Sequence, residues 1–558
     1  MRILPIFLRC LKRLWDKAPR STGKKRGKNK SKSRKIDSLN RKTAMFQRLL
    51  KVHYIQQETR QTQQKRKENN MKKRVLAAAL TAAMAAGSLA PATVSAADDM
   101  VTLSLWIPTL ATYQDDAVAE VETAINEYMG EKYGIQVELE YVEIGNFEQS
   151  SNLAMTTEDV DVTCVLAQDR PLATYVANGQ LLDITDYFEN ASDELKNTFT
   201  EEEMTATTVN GRIYGLVRKY QYGGHGVALL NKEMADEMGI DAKSITTMDQ
   251  LEEVLYEAHE KYPDVYTMVP QSSADMTWAW TQIADKNIGN TAYAYADWGT
   301  TELKSLFETE GFKEFCSYTN KWYNDGLIMP DALSNTMEGS TMITAGSAFC
   351  CFHNGDVDPL DALYPNTVET GEIAPARAIS SDIGNLQYGI SANSAHPDEA
   401  FTLLSAMYTD AEFATLLAYG IEGEHYVINE DGRADYPEGM TAENEPYGGF
   451  AATATYPNFL ILPVKESALY EDAKATVDEW DAGVEVSPAF GFYYDTTEMG
   501  DFVTAYANLE EKYENALATG SVALDDVLPQ IQSELESIGF YDVLEDTQAA
   551  LDEYLANK

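Results

Sequence analysis

The sequence predicts an α/β fold, on two observations. Between residues 101 and 184 apolar residues recur alternately with period 2 and period 3.6, and after residue 500 only the helical period remains. Val101 to Ile107 (VTLSLWI) alternates apolar with polar residues, and Pro108 is read as its stop. Residues 115–133 carry a helical stripe of Val118, Val121, Ile125, Tyr128 and Met129 that ends at Gly134. Ile135, Val137, Leu139 and Tyr141 alternate with Gln136, Glu138 and Glu140, which is a second strand. Residues 146–154 read as a helix, 162–167 as a buried strand, and 169–179 as a helix leading into Leu181-Leu182-Asp183-Ile184. That order implies a largely parallel sheet with helices on both faces.

Beyond Gly211 the spacing changes. Residues 212–217 and 227–230 are strand-like and are separated by Gly223-Gly224-His225-Gly226. Helices are expected at 248–260 and 302–325, the second bearing Leu303, Leu306, Phe307, Phe312 and Phe315. An apolar strand at 347–352 runs into His353-Asn354-Gly355-Asp356, and 388–392 is another strand. Two consecutive helices follow: 397–407 with Pro397 in its first turn, and 410–419, opened by a Thr409-to-Glu412 capping box and closed by Gly420. The tail is helical at 501–519, 524–538 and from 543 onward.

At 558 residues the chain suits two or three domains, but its front end does not read as fold. Residues 1–70 hold 22 Lys or Arg against 4 acidic residues and show little sustained apolar period. They are read as translated upstream sequence rather than protein. Met71 then opens an export signal: Lys72-Lys73-Arg74, an apolar run from Val75 to Ala86, and Val94-Ser95-Ala96 as a small-x-small cleavage site. Lys67-Glu68-Asn69-Asn70 is encodable as AAG GAG AAT AAT, a ribosome-binding sequence just ahead of the Met71 codon. The expectation is therefore translation from Met71, a signal over 71–96 and a mature chain from Ala97, exported to a periplasm or to the outer face of the cytoplasmic membrane. No cysteine sits at the cleavage site, so no lipid anchor is expected there.

Past residue 96 the chain keeps 19 Lys and Arg against 84 Asp and Glu, a formal net charge of −65. A surface that acidic repels phosphate backbones, which excludes nucleic acid as a partner. The four cysteines there, Cys164, Cys316, Cys350 and Cys351, lack the spacing of a disulfide framework and are read as buried thiols. A vicinal Cys350–Cys351 bridge is the alternative. The five histidines after residue 96 form no HExxH or other metal spacing, and there is no GxSxG, GxxxxGK or GxGxxG motif. No metal or cofactor is expected. Glu430-Asp431-Gly432 resembles part of a cation loop, but Asp-Gly between two strand-like runs is more simply a hairpin turn.

Aromatic residues beside turns are the remaining signal. Trp106 ends the first strand, Tyr220 and Tyr222 precede the Gly-rich segment, and Trp278 and Trp280 flank Ala279 in a polar stretch. Flat rings stack on the apolar faces of sugars; each aromatic taken alone reads more simply as core, and the signal is their joint occurrence at strand ends.

Several longer stretches resemble one family. They are VLAQDRPLATYVANGQLLDITDYF (165–188), NGRIYGLVRKYQYGGHGVALLNKEM (210–234, with Val217 in place of the usual Pro), GSAFCCFHNGD (346–356) and YGISANSAHPDEAFTLLSAMYTDAE (388–412). Together they resemble the extracellular solute-binding proteins of carbohydrate ABC importers. LAYGIEGEHYVINEDG (417–432) and SPAFGFYYDTTEMGDFVTAY (487–506) are similar to a Bacillus-type lipoprotein subgroup with a conserved C-terminal domain of unknown function.

The resemblance implies a two-lobed periplasmic-binding-protein-like fold of type II, with discontinuous lobes joined by a hinge. It assigns 97–222 plus 347–392 to the first lobe. The second takes 223–346 plus 393–558, with a helical C-terminal domain from about 430. It implies a monomer that traps a sugar or oligosaccharide between the lobes, does no chemistry, and passes the solute to ABC permease membrane subunits. Asp169 and Arg170 fall on the turn that bonds sugar hydroxyls, Trp106 and Tyr113 bracket the first strand–helix turn, His225 lies at the crossover, and Asp356 at the later turn. With Tyr222, Trp278 and Trp280 these form the expected ligand set. Leu166 and Val357 stand where the family's maltodextrin binders carry aromatics, so the resemblance does not reach maltodextrin. Two other readings compete: a secreted carbohydrate-active enzyme, and a binding protein for another solute such as a peptide.

Overall fold

Two sheets, each backed by its own apolar core, organise the chain. The computed structural model describes residues 100–157, 160–167, 172–222, 225–271, 276, 288–355, 366–371, 373–374, 376–442, 444–468, 470–496 and 499–558, all within the unit Ala96–Lys558. The first sheet contains β1 (Val101–Thr109), β2 (Ile135–Glu143), β3 (Val162–Leu166), β4 (Leu216–Val217) and β9 (Leu386–Ile390), in the order β2-β1-β3-β9-β4. β1 is parallel to β2 and β3, whereas the returning β9 is antiparallel to β3 and β4. The second sheet contains β5 (His225–Asn231), β6 (Tyr266–Val269), β7 (Ala348–Gly355) and β8 (Thr367–Glu369), in the order β8-β5-β7-β6.

β1 continues past its expected stop: Pro108 pairs with Val142 inside the strand. Ser104 exchanges hydrogen bonds with Asp161 on the β3 side, through its own N–H to the carboxylate and its carbonyl to the Asp161 N–H. Backbone groups alternate sides along a strand, so Pro108 also turns its missing N–H toward β3, beyond the last pair there, Trp106 with Thr163.

Helix Asp115–Tyr133 buries Ala117, Val121, Ile125 and Met129, and Gly134 ends it at φ 70°. Its outer face reaches Asp410, which accepts from the Tyr128 and Tyr133 hydroxyls and from the Lys132 ammonium. Asp410 is itself the N-cap of helix Ala411–Tyr419, accepting from the Phe413 N–H, so the capping residue is Asp410 rather than Thr409. Expected helix 302–325 is shorter. Leu303–Lys304 pair with Tyr295–Ala296 as a hairpin, and Thr309, accepting from the Phe312 N–H, starts the helix at Glu310.

The lobe boundaries differ from the sequence reading. Residues 347–392 are expected with the first lobe, but β7 lies between β5 and β6 in the second sheet. Its continuous apolar run, Ala348 to Phe352, suits a strand covered on both faces. Residues after 393 are expected with the second lobe, but helix Pro397–Thr409 follows β9 directly and packs Ala400, Leu403, Leu404 and Met407 into the first core. That core takes buried residues from Leu103 to Leu216 and from Leu386 to Leu462. The second takes them from Ala228 to Ile373 and from Ala489 to Leu551. Helical structure does not begin at 430. Helices Ala473–Asp481, Gly500–Ala518, Leu524–Ser537 and Phe540–Asn557 supply it, the last three against the second core.

The chain therefore crosses between lobes three times: from β4 to β5, from β8 to β9, and from helix Ala473–Asp481 to the tail. The second and third crossings pair in parallel, Arg377–Ala378 against Glu485–Val486. All three meet in one apolar cluster of Tyr222, Ala378, Ile383 and Phe490. The four described cysteines are buried free thiols.

Candidate ligand-binding cleft

A cavity of about 560 Å³ opens where the lobes meet. From the first lobe it takes Ala167 at the end of β3, the start of helix Leu172–Ala177, helix Glu201–Ala206 and the turn 208–211. Thr200 fixes that helix through a capping box with Glu203. Asn210 and Gly211, at φ 52° and 74°, make the tight turn between Thr208–Val209 and Arg212–Ile213. Ser380 and Ser381 come from the second crossing, Ser487 and residues 489–493 from the third, and Ile288, Gly289 and Tyr554 from the second lobe.

The lining is rich in neutral hydrogen-bonding groups: Thr205, Thr208, Asn210, Ser380, Ser381 and Ser487, with Glu201 its one carboxylate among the described residues. Gln387 donates through Nε2 to the Gly384 carbonyl at 2.8 Å, and its buried Oε1 has no hydrogen-bond partner among the described residues. Phe490, Phe492, Tyr493 and Tyr554 form an aromatic side. Tyr493 is hydrogen-bonded to Thr174 of the opposite lobe, and burial raises its hydroxyl above the ordinary tyrosine value.

Beside the cavity, the crossings carry charge. Lys219 and Glu203 pair in the interior, and Asp481 accepts from the Tyr222 N–H at 2.8 Å. Burial, aided by the Glu203 carboxylate and opposed by the Tyr222 N–H, lifts Asp481 to about 7.

The expected ligand residues divide into four groups. Trp106 donates from Nε1 to Ser104 Oγ at 3.1 Å and packs against the apolar cluster that includes Val165 and Leu172, and it is not among the lining residues. Tyr113 and Tyr222 lie outside the lining. Tyr113 stacks on Tyr141, centroids 4.0 Å apart, with its edge on Tyr447. Tyr222 is 9% exposed, sits in the crossing cluster and pairs its hydroxyl with Thr200. His225 opens β5 opposite Gly355. Asp169, Arg170, Trp278, Trp280 and Asp356 lie outside the described residues. Ala167 and Leu172, on either side of residues 168–171, both line the cavity, as does Ile288, the first described residue after 277–287.

Sequence reasoning missed Tyr493 and Tyr554 as cavity residues. The aromatic run SPAFGFYYD was a signal for the first; the second sits on an ordinary amphipathic helix and carried none. The segment around Glu430 is the hairpin turn expected of it. Val427–Ile428 pair with Ala434–Asp435, and Asn429 Oδ1 accepts from the Asp431 and Arg433 N–H groups. Among the described residues no group of three or more His, Cys, Asp or Glu is placed to hold a metal, and no helix is long and apolar enough to cross a membrane.

Two α/β lobes, linked by three crossings and meeting at a cavity with polar and aromatic lining, are the architecture of a protein that binds a small guest between its halves. The chain belongs to the bacterial extracellular solute-binding protein family, whose model matches residues 123–421. Residues 488–556 match a domain of unknown function, DUF3502. A carbohydrate ABC transporter substrate-binding protein of Streptococcus pneumoniae serotype 4 is 25% identical over 477 residues, 81% of this chain and 92% of that protein. Among solved structures, the N-glycan transport solute-binding protein of Streptococcus pneumoniae superposes with a TM-score of 0.69 at 20% identity, over 82% of this chain and 99% of that one. An HMO-binding, ABC-transporter-associated solute-binding protein from Bifidobacterium longum infantis gives 0.57 at 15% identity, over 82% and 100%.

Proposed function

We propose that the protein is the solute-capturing component of a carbohydrate ABC importer, holding a sugar or oligosaccharide between its lobes and handing it to the membrane permease. The observation that carries this reading is the lining of the 560 Å³ cavity, which mixes neutral hydroxyl and amide groups with aromatic residues. Sugar hydroxyls need planar and hydroxylic partners, and pyranose faces stack on rings. The 25% identity to a carbohydrate-transport relative over most of both chains favours the same solute class.

Capture without turnover is favoured by the relative that matches over most of both chains, a substrate-binding protein of a transporter. Asp169, Arg170, His225, Trp278, Trp280 and Asp356 are proposed ligand contacts, and the protein is proposed to act as a monomer without a cofactor. Export is proposed through residues 71–96, with no lipid-bearing cysteine at the cleavage site.

The test is a thermal-shift screen of the protein from Ala97 onward against oligosaccharides and peptide pools. Ligand at about 100 times its dissociation constant stabilises by about 2.7 kcal/mol, a readily measured rise. A rise with peptides alone, or release of shorter glycans during incubation, overturns the proposal.

A further inference from the structure

Helix Phe540–Asn557 is anchored in the second core through Phe540, Thr547 and Leu551, with Thr547 Oγ1 and the Tyr293 hydroxyl 2.9 Å apart. One turn before its end it presents Tyr554 to the cavity. The Tyr554 hydroxyl donates to the Phe490 carbonyl at 2.9 Å, and the Lys558 ammonium donates to the same oxygen at 3.0 Å. Two donors, one from the helix and one from its C-cap residue, thus hold a carbonyl of the third crossing. Such a carbonyl is fixed more firmly than by one neutral bond, because one of its donors is charged.

The following residues are held as tightly. Gly491 adopts φ 86° and donates its N–H to Ser380 Oγ at 2.7 Å. A Cβ on Gly491 would lie 2.2 Å from the Tyr554 hydroxyl oxygen and 2.9 Å from Thr205 Cγ2, so the backbone passes between groups of both lobes with no room for a side chain. Phe492 packs against the Tyr554 ring with centroids 5.7 Å apart, and Tyr494 donates its N–H to the Gly289 carbonyl at 3.0 Å. Tyr493, carried between these fixed points, reaches Thr174 across the cleft.

We propose that the C-terminal domain, residues 488–556, is a built part of the ligand cleft, and that Tyr554 is the positioning residue that sets its aromatic wall of Phe490, Phe492 and Tyr493. The assignment rests on the carbohydrate-capture reading. It gives the domain a specific role, which is to hold the half-buried Tyr493 ring, backed by the buried Phe490 and Phe492, rigid toward a pyranose where a floppy segment would lose affinity to ordering.

The experiment compares wild type, Tyr554→Phe and Lys558→Met. Tyr554→Phe keeps the ring and loses only the hydroxyl, so folding is preserved, and Lys558→Met removes the second donor from an exposed position. Hydrogen exchange of the ligand-free proteins is expected to quicken about tenfold at the amides of 489–494 in each variant, with exchange in β1 unchanged. Affinity for an oligosaccharide that wild type binds is expected to fall about three- to tenfold, the size of one lost hydrogen bond. Unchanged exchange at 489–494 in both variants overturns the proposal, as does unchanged affinity. A wild-type protein that binds no oligosaccharide overturns the capture reading and this assignment together, whereas binding that the variants share equally overturns the assignment alone.

Discussion

The Lys219 ammonium lies 2.5 and 2.6 Å from the two carboxylate oxygens of Glu203, and the Glu203 side chain is 1% exposed. Glu203 also accepts from the Thr200 N–H, and the Lys219 N–H donates to the Pro457 carbonyl. The pair joins the helix at the cavity rim to the first crossing. Its partners are satisfied on every side, which is the condition under which a buried ion pair persists.

Removing one partner should expose that dependence. Lys219→Met leaves a desolvated carboxylate and is expected to destabilise the fold by about 3–5 kcal/mol. Adding Glu203→Gln should recover most of the loss. Denaturant unfolding of the two variants checks it, and equal stability of Lys219→Met and wild type would contradict it.

Glu510 makes the stability of the second lobe depend on pH. Burial first, and then the neighbouring Glu514, lift its carboxyl to about 8, against the donated Tyr295 hydroxyl. The folded value exceeds the unfolded one of about 4.3. The folded state therefore holds a proton that the unfolded state has released, and stability falls as pH rises from about 4.3 toward 8. Glu510→Gln removes this loss. Its melting-temperature advantage is expected to grow between pH 5 and pH 8 and then level off, and a constant difference across that range would refute the assignment.

Gly448 tests the placement of Tyr113. It adopts φ 76°, and a Cβ there would fall 2.3 Å from Tyr113 Cζ. Gly448→Ala is expected to cost about 2–3 kcal/mol through backbone strain and overpacking of the Tyr113–Tyr141–Tyr447 cluster. Ligand affinity should be unchanged once the protein is folded, because those rings pack on one another away from the cavity lining. A loss of affinity without a loss of stability would return Tyr113 to the ligand site.

Asp169→Ala addresses the segment after β3. Its flanking residues Ala167 and Leu172 line the cavity. The variant is expected to lose about tenfold or more in affinity, as when a charged hydrogen-bonding partner is removed, while the ligand-free melting temperature stays put. Calorimetric titration beside a melting scan decides it.

What the sequence makes legible follows from period and length. β1, β2 and helix Asp115–Tyr133 are long enough to repeat their pattern several times, so type and position can both be read. Strands of two residues, such as Leu216–Val217 and Glu485–Val486, carry no period at all. The run Ala348–Phe352 announces burial on both faces but says nothing of which sheet does the burying, and so the sequence reading puts β7 in the wrong lobe. Tyr222 marks the same ambiguity for a side chain. An aromatic beside glycines reads alike whether it meets a ligand or three converging backbone segments, and only its neighbours Ala378, Ile383 and Phe490 separate the two.

The triple passage between lobes also bears on how the molecule withstands damage. A protease that nicks any one connection leaves the halves tethered by the other two, so a single cut should neither release a fragment nor abolish the swing. Parallel tethers also limit the relative motion of the halves to what all three tolerate at once. Changes confined to one tether should therefore register first in the rate of closure.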